Sequence, residues 1–248
     1  MLDQLRLMPA NFYPGAIGKA FCSLLLLTLC LAPPARSQDS QFLPEVDAYL
    51  KLNPDVRTYL QAKDDREGGD PTQFEFGPSI EFYLKPLLRL KQVAFFDLDD
   101  SKSRPLVFEA GYRLITQPNT PLENRELVAA TFNFPVGLGV HLSDRNRFDL
   151  DWKEGKFTWR YRNKLTLARS FAVRSYHLIP YLAAEPFYES QYSKWSSTDL
   201  YAGCLFPVGK HFEFNVYYEH ENNTGKKPNQ QQNDVGLALY MYFSAPKQ

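Results

Sequence analysis

The sequence predicts an all-β fold: a single up-and-down antiparallel transmembrane β-barrel of about twelve strands, with ten as the smaller count. Three observations carry this. Segments of about ten residues alternate apolar and polar side chains with period two, the spacing that sends successive side chains to opposite faces of a strand. Clusters of Gly, Pro, Asn, Asp and Ser separate these segments. The faces opposite the apolar residues carry large charged residues in mid-strand, which suits a barrel with a polar interior and an apolar, lipid-facing exterior.

The first residues read as an export signal. Lys19 precedes an apolar run, Ala20 to Ala32, of about thirteen residues, within the range of a signal core and short for a spanning helix. Pro33 and Pro34 end it, and Ala35-Arg36-Ser37 places small residues three and one positions before a cut after Ser37. Residues 1–37 are therefore expected to be a signal peptide and residues 38–248 the barrel. A retained membrane anchor is the alternative, and the long stretch before Lys19 makes Met8 a second candidate start. Leu29 stands where a lipoprotein signal ending at Cys30 would need a small residue. Cleavage removes Cys22 and Cys30, so Cys204 alone remains and no internal disulfide can form. Within Ala202-Gly203-Cys204-Leu205-Phe206 it reads as a small packing residue, not a nucleophile.

Taken in order, the strands are expected at roughly 45–52, 56–63, 73–84, 87–97, 105–116, 124–134, 146–153, 156–168, 176–188, 197–207, 211–221 and 233–243, with Leu87 to Asp97 the weakest. In the third, Phe74, Phe76, Ile80, Phe82 and Leu84 oppose Glu75, Ser79, Glu81 and Tyr83. In the fifth, Leu106, Phe108, Ala110, Tyr112 and Leu114 oppose Glu109, Gly111 and Arg113. In the eighth, Phe157, Trp159, Tyr161, Leu165 and Leu167 oppose Arg160, Arg162 and Lys164. In the eleventh, Phe212, Phe214, Val216 and Tyr218 oppose Glu213, Asn215, Tyr217 and Glu219; in the last, Val235 to Phe243 alternates with Gly236, Ala238, Tyr240 and Tyr242. Short connections such as Asn53-Pro54-Asp55 alternate with longer polar ones such as Asn222 to Asn233, as in membrane barrels with short turns on one side and longer loops on the other. An even strand count is expected, because both chain ends then lie on one side.

Lys plus Arg and Asp plus Glu are both 28, so the chain carries neither the basic excess that would favour nucleic acid nor an acidic tail. Aromatic residues make up 15%, and several (Phe42, Trp152, Trp159, Tyr242, Phe243) fall near strand ends, where membrane barrels place interfacial girdles. A soluble periplasmic barrel would reverse the two faces.

Arg160, Arg162 and Lys164 form the strongest local feature. A spacing of two sets them about 6.6–7 Å apart in a column on one face. Three unpaired cations inside a barrel would be costly, so partners are expected, with Glu185 on the next strand first. Glu109, Arg113, Glu213 and Glu219 complete the expected interior network. It reads either as ion pairing that fills the lumen and fixes register, or as an anion-attracting constriction or seat for an acidic head group. No catalytic set stands out. His141-Leu142-Ser143 alone sets a Ser two residues from a His, as a lipid-modifying barrel enzyme would need, but it adjoins Asp144-Arg145-Asn146, which reads as a loop. His220 falls on the apolar face near a strand end. Gly137-Leu138-Gly139 reads as a strand bend. No metal-ligand spacing, cofactor motif or phosphate loop is present.

Residues 40 to 243 resemble an uncharacterised family of bacterial outer-membrane barrels, domain of unknown function 2490. The resemblance rests on Asn124-Arg125, Arg147, the run Trp159-Arg160-Tyr161-Arg162-Asn163-Lys164-Leu165, Pro180-Tyr181 leading to Glu185-Pro186-Phe187, and the closing strand Gly236 to Phe243. Lys164 stands where Arg is expected, and Ser244 to Gln248 follow the terminal aromatic that the assembly machinery reads. The resemblance implies a barrel in the outer membrane and brings no activity. The expected partners are outer-membrane lipid and, during biogenesis, the barrel assembly machinery, with the protein a monomer. Its role is then structural or that of a narrow, largely occluded channel; a lipid-modifying enzyme or a soluble periplasmic binding barrel is the alternative.

Overall fold

A computed structural model describes residues 40–84, 97–174, 176–225 and 227–246. The expected signal peptide and the expected strand over residues 87–97, all but Asp97, lie outside the described residues. The elements are β1 (Gln41–Asn53), β2 (Val56–Glu67), β3 (Asp70–Leu84), a 3₁₀ turn (Asp100–Ser103), β4 (Leu106–Thr116), β5 (Glu123–Gly137), β6 (Val140–Lys153), β7 (Lys156–Arg169), the short β8 (Phe171–Val173), β9 (Tyr176–Glu189), β10 (Lys194–Val208), β11 (Phe212–Asn223) and β12 (Gln230–Ser244).

Each strand from β1 to β7, and from β9 to β12, pairs antiparallel with the next, and β7 pairs with β9. β12 then pairs with β1 and closes a ring of eleven strands. β8 continues the line of β7 and pairs only with the start of β9, outside the ring. The even count is not met. An odd ring of alternating strands must contain one parallel pair, and it is the seam: β1 and β12 run parallel over ten paired positions, Phe42–Lys51 against Val235–Ser244.

The alternation of the sequence is the alternation of the wall. Phe74, Phe76, Phe82 and Leu84 are exposed on the outer face of β3, while Glu75, Ser79, Glu81 and Tyr83 are buried inside. Phe212, Phe214 and Val216 face outward on β11 and Glu213 and Asn215 inward; β12 repeats this with Val235 and Leu237 outside and Ala238 inside. The barrel is thus apolar outside and charged within. The apolar cluster inside is small: Ala168, Ile179 and Leu205, with Tyr181 and Tyr240 against it. Interior glycines make room for rings. Tyr217 lies opposite Gly236 across β11–β12, and a Cβ on Gly236 would fall 2.0 Å from the Tyr217 ring.

Two sequence expectations are corrected. Asp144-Arg145-Asn146 is not a loop but the middle of β6, because pairing to β5 and β7 runs unbroken through it. Gly137-Leu138-Gly139 is not a bend within a strand. Leu138 (φ 52) and Gly139 (φ 73) are the two central residues of the β5–β6 hairpin. Positive φ at both positions is the form of tight turn whose twist matches the flanking strands.

Candidate functional site

Inward-facing charges divide the lumen into two walls. The basic wall is built by β6 and β7, where strand alternation turns Arg145, Arg147, Arg160, Arg162 and Lys164 inward. Asp149 is fully buried beneath them and pairs with Arg147 at 2.5 Å and with Arg160 and Arg162 at 3.4 Å each. Glu185, from β9, pairs with Arg162 at 3.5 Å and Lys164 at 3.3 Å. Glu109, from β4, pairs with Arg145 at 2.7 Å and accepts a hydrogen bond from the Tyr59 hydroxyl at 2.6 Å. The Lys164 ammonium also sits 3.5 Å from the centre of the Tyr201 ring.

The adjoining wall, β10 to β12, is acidic. Asp199 lies opposite Glu185 on one side and Glu221 on the other, and Glu219 lies opposite Asp234. The Tyr201 hydroxyl donates toward Glu185 (3.2 Å) and Asp199 (3.3 Å), bridging the boundary between the walls.

Of the residues named from sequence, Arg160, Arg162, Lys164 and Glu185 come together, and Glu109 joins them through Arg145. Arg113 reaches Glu109 through the Tyr59 and Ser79 hydroxyls, and Glu213 and Glu219 lie apart. Arg113 is fully buried toward β2 and β3, pairing with Glu75 at 3.5 Å and donating to Gln61, Ser79 and the Pro78 carbonyl. Glu213 is fully buried near one mouth, where it accepts from the Tyr242 hydroxyl at 3.4 Å. Glu219 belongs to the acidic wall. Asp149, Arg145 and Arg147 were missed as site residues. Alternation with Phe148 and Leu150 marks Arg147 and Asp149, whereas Arg145 stands between the polar Asp144 and Asn146 and carries no such signal.

Residues 97–105 lie at that mouth. Arg57 of β2 donates to Glu81 at 2.8 Å and to Asp99 at 2.6 Å. Lys51 pairs with Asp100, and Lys102 with Asp97. Asn133 donates to the carbonyls of Ser101 (3.2 Å) and Arg104 (2.8 Å), and Arg104 donates to the Pro54 carbonyl at 2.9 Å. The segment is therefore tied to β1, β2 and β5, and it forms a plug. His141, inward on β6, donates through Nε2 to the Lys102 carbonyl at 3.0 Å, so the ring of the one His–Ser pair considered from sequence is held by the plug. A cavity of about 200 Å³ lies beside it, lined by residues that include Lys51, Arg57, Asp100, His211 and Tyr242. Among the described residues no group of three His, Cys, Asp or Glu side chains is placed to hold a metal ion. No helix there is long and apolar enough to cross a membrane, which says nothing of strands.

Fold and lumen together define a closed, internally charged β-barrel. The chain belongs to the family described as protein of unknown function (DUF2490), whose model matches residues 46–232. No curated protein and no solved structure matches it.

Proposed function

We propose that the protein is an outer-membrane β-barrel, exported by a cleaved N-terminal signal, and that its role is structural, its lumen being narrowed by its own side chains and blocked to through-passage at one mouth by the 97–105 plug. The inversion of the wall carries this reading. Phe, Leu and Val side chains such as Phe76, Phe82, Phe108, Val128, Leu200 and Leu237 are each more than two-fifths exposed around the ring, while Arg113, Asp149 and Glu213 are fully buried inside. Such an exterior is costly in water and suited to hydrocarbon, where a closed ring also satisfies the backbone polar groups of every strand. The same burial supports a narrowed lumen, since buried side chains fill the part of the section they occupy.

The test is fractionation with gel mobility. The protein should sediment with outer membranes and migrate as a compact band that shifts on boiling; recovery in osmotic-shock fluid without a shift would sink the reading. In planar bilayers the purified barrel should show no steady conductance. A narrow anion path is the second reading, favoured by one observation: the inward-facing side chains of Arg160 and Lys164 keep 25% and 27% of their surface exposed. A steady conductance whose ion preference shifts in Arg160→Ala would establish that reading instead.

A further inference from the structure

We infer that the basic wall is a binding site for an oxoanion, and that its ligand is a phosphate-sized dianion seated between β6 and β7 inside the barrel. Register is the first observation. Across β6–β7, Arg145 lies opposite Lys164 and Arg147 opposite Arg162, two like-charged pairs at successive inward positions. Like charges directly opposite one another destabilise a strand pair, and closing a barrel does not require them: the next inward pair, Asp149 with Arg160, is of opposite sign.

Charge balance is the second. Among the described residues, Arg145, Arg147, Arg160, Arg162 and Lys164 have three carboxylates within ion-pair distance, Glu109, Asp149 and Glu185, while Asp199 and Glu219 act on Lys164 from farther off. Within ion-pair distance the cations outnumber the carboxylates by two. Hydrogen bonding is the third. Arg147 is 5% exposed, and its Nη2 has no hydrogen-bond partner among the described residues. A buried donor of this kind is costly unless something accepts from it.

Exposure sets where the ligand would sit. Arg145 and Arg162 keep 28% and 19% of their side-chain surface open, as Arg160 and Lys164 also do, whereas Asp149 and Glu185 are at 0% and 5%. A solute in the lumen therefore meets N–H groups, with the carboxylates behind them. Guanidinium forks match the oxygens of phosphate and sulfate in pairs. A dianion on the exposed N–H groups would neutralise the local excess and offset the like-charge contacts across β6–β7. The acidic wall of Asp199, Glu219 and Glu221 would keep it against β6–β7. The same chemistry is offered by a free ion and by a phosphate headgroup.

The site needs the closed barrel but not its location, so binding is measured on the purified protein in detergent micelles, and the membrane reading stands or falls separately. Titration calorimetry with sulfate and with inorganic phosphate should give saturable, one-to-one binding. The dissociation constant should rise at least tenfold in Arg147→Gln and Arg162→Gln, and stay unchanged in Lys156→Gln at the exposed β6–β7 turn. Should either arginine variant fail to give the compact gel band, Lys164→Gln serves, because Glu185 keeps Arg162 as a partner. Micelles doped with phosphatidic acid separate the sources. Competition with the free ions, or binding of the lipid alone, assigns the site to a headgroup; binding of free ions without competition assigns it to a soluble anion. Absence of saturable binding by all three probes would overturn the proposal, as would binding undiminished in Arg162→Gln and Lys164→Gln.

Discussion

Arg57 joins the barrel wall to the plug. Its side chain is 3% exposed, and its guanidinium pairs with Glu81 at 2.7 Å and Asp99 at 2.6 Å and lies 4.2 Å from the Tyr49 ring centre. Removing one member of a buried ion pair strands the other charge, at a cost of about 3–5 kcal/mol. Arg57→Ala should therefore lower the unfolding free energy from urea titration by that order, with a lower midpoint, and Arg57→Lys by less, since a point charge replaces a fork. A midpoint unchanged in Arg57→Ala would show that the plug does not depend on this residue. Asp99 lies outside the strands. Burial alone would raise its carboxyl, but Arg57 and Lys102 hold it at about 2, below the ordinary 3.8. A carboxyl depressed on folding stabilises above its unfolded value, and that stabilisation is lost as pH falls toward the folded one. The melting temperature should drop between about pH 4 and pH 2, and drop less in Asp99→Asn. Equal slopes for the two proteins would contradict this.

At the scale of the strand, β6 carries an anomaly on its outer face. Asp144 and Asn146 point outward beside Asn163 of β7, joined by hydrogen bonds from Asn163 Nδ2 to Asp144 (2.5 Å) and Asn146 (3.1 Å) and from the Tyr161 hydroxyl to Asn146 (2.6 Å). Leu142 and Phe148 flank the cluster along β6, and Phe132 and Leu165 lie opposite Asp144. If this face meets lipid, its carboxylate is unfavourable, and replacing Asp144 and Asn163 by apolar groups removes it at the cost of one long hydrogen bond, Asn146 Nδ2 to Asp144 at 3.3 Å, while Asn146 keeps the Tyr161 hydroxyl. Asp144→Leu combined with Asn163→Leu should raise stability in lipid vesicles by about 1–2 kcal/mol in urea unfolding. A loss of stability there would mean the face is covered by something polar. The same strand shows where sequence reading stops. Alternation fixes the facing of Phe148 and Asp149, but Asp144-Arg145-Asn146 breaks the apolar periodicity because its outward positions are polar, so the first half of β6 was not legible. The hairpins also outrun the apolar belt: β2 continues to Glu67 and β3 starts at Asp70, where backbone pairing persists after the hydrophobic signal has ended. The spacing of Arg160, Arg162 and Lys164 was legible within one strand. Their shared contact with Asp149 was not, because it depends on the β6–β7 register.

For the whole molecule, the strand count decides the topology, and period-two reading cannot supply it: one strand more or fewer leaves every other segment unchanged but turns the seam from antiparallel to parallel. With eleven strands in the ring, β1 and β12 run the same way, so β1 begins at the mouth away from the plug and β12 ends at the plugged mouth. In an even ring the two ends would share a side. Ser40, just before β1, and Pro246, just after β12, are both exposed and report the two mouths. With Cys204→Ser as background, Ser40→Cys and Pro246→Cys should react oppositely toward a membrane-impermeant maleimide applied to intact cells, one labelled and the other labelled only after the outer membrane is opened. An even-stranded membrane barrel would give the same answer at both positions. A protein outside the membrane would also give the same answer at both, because nothing would separate its two mouths. Opposite labelling therefore requires two things at once, a ring of odd count and a bilayer around it.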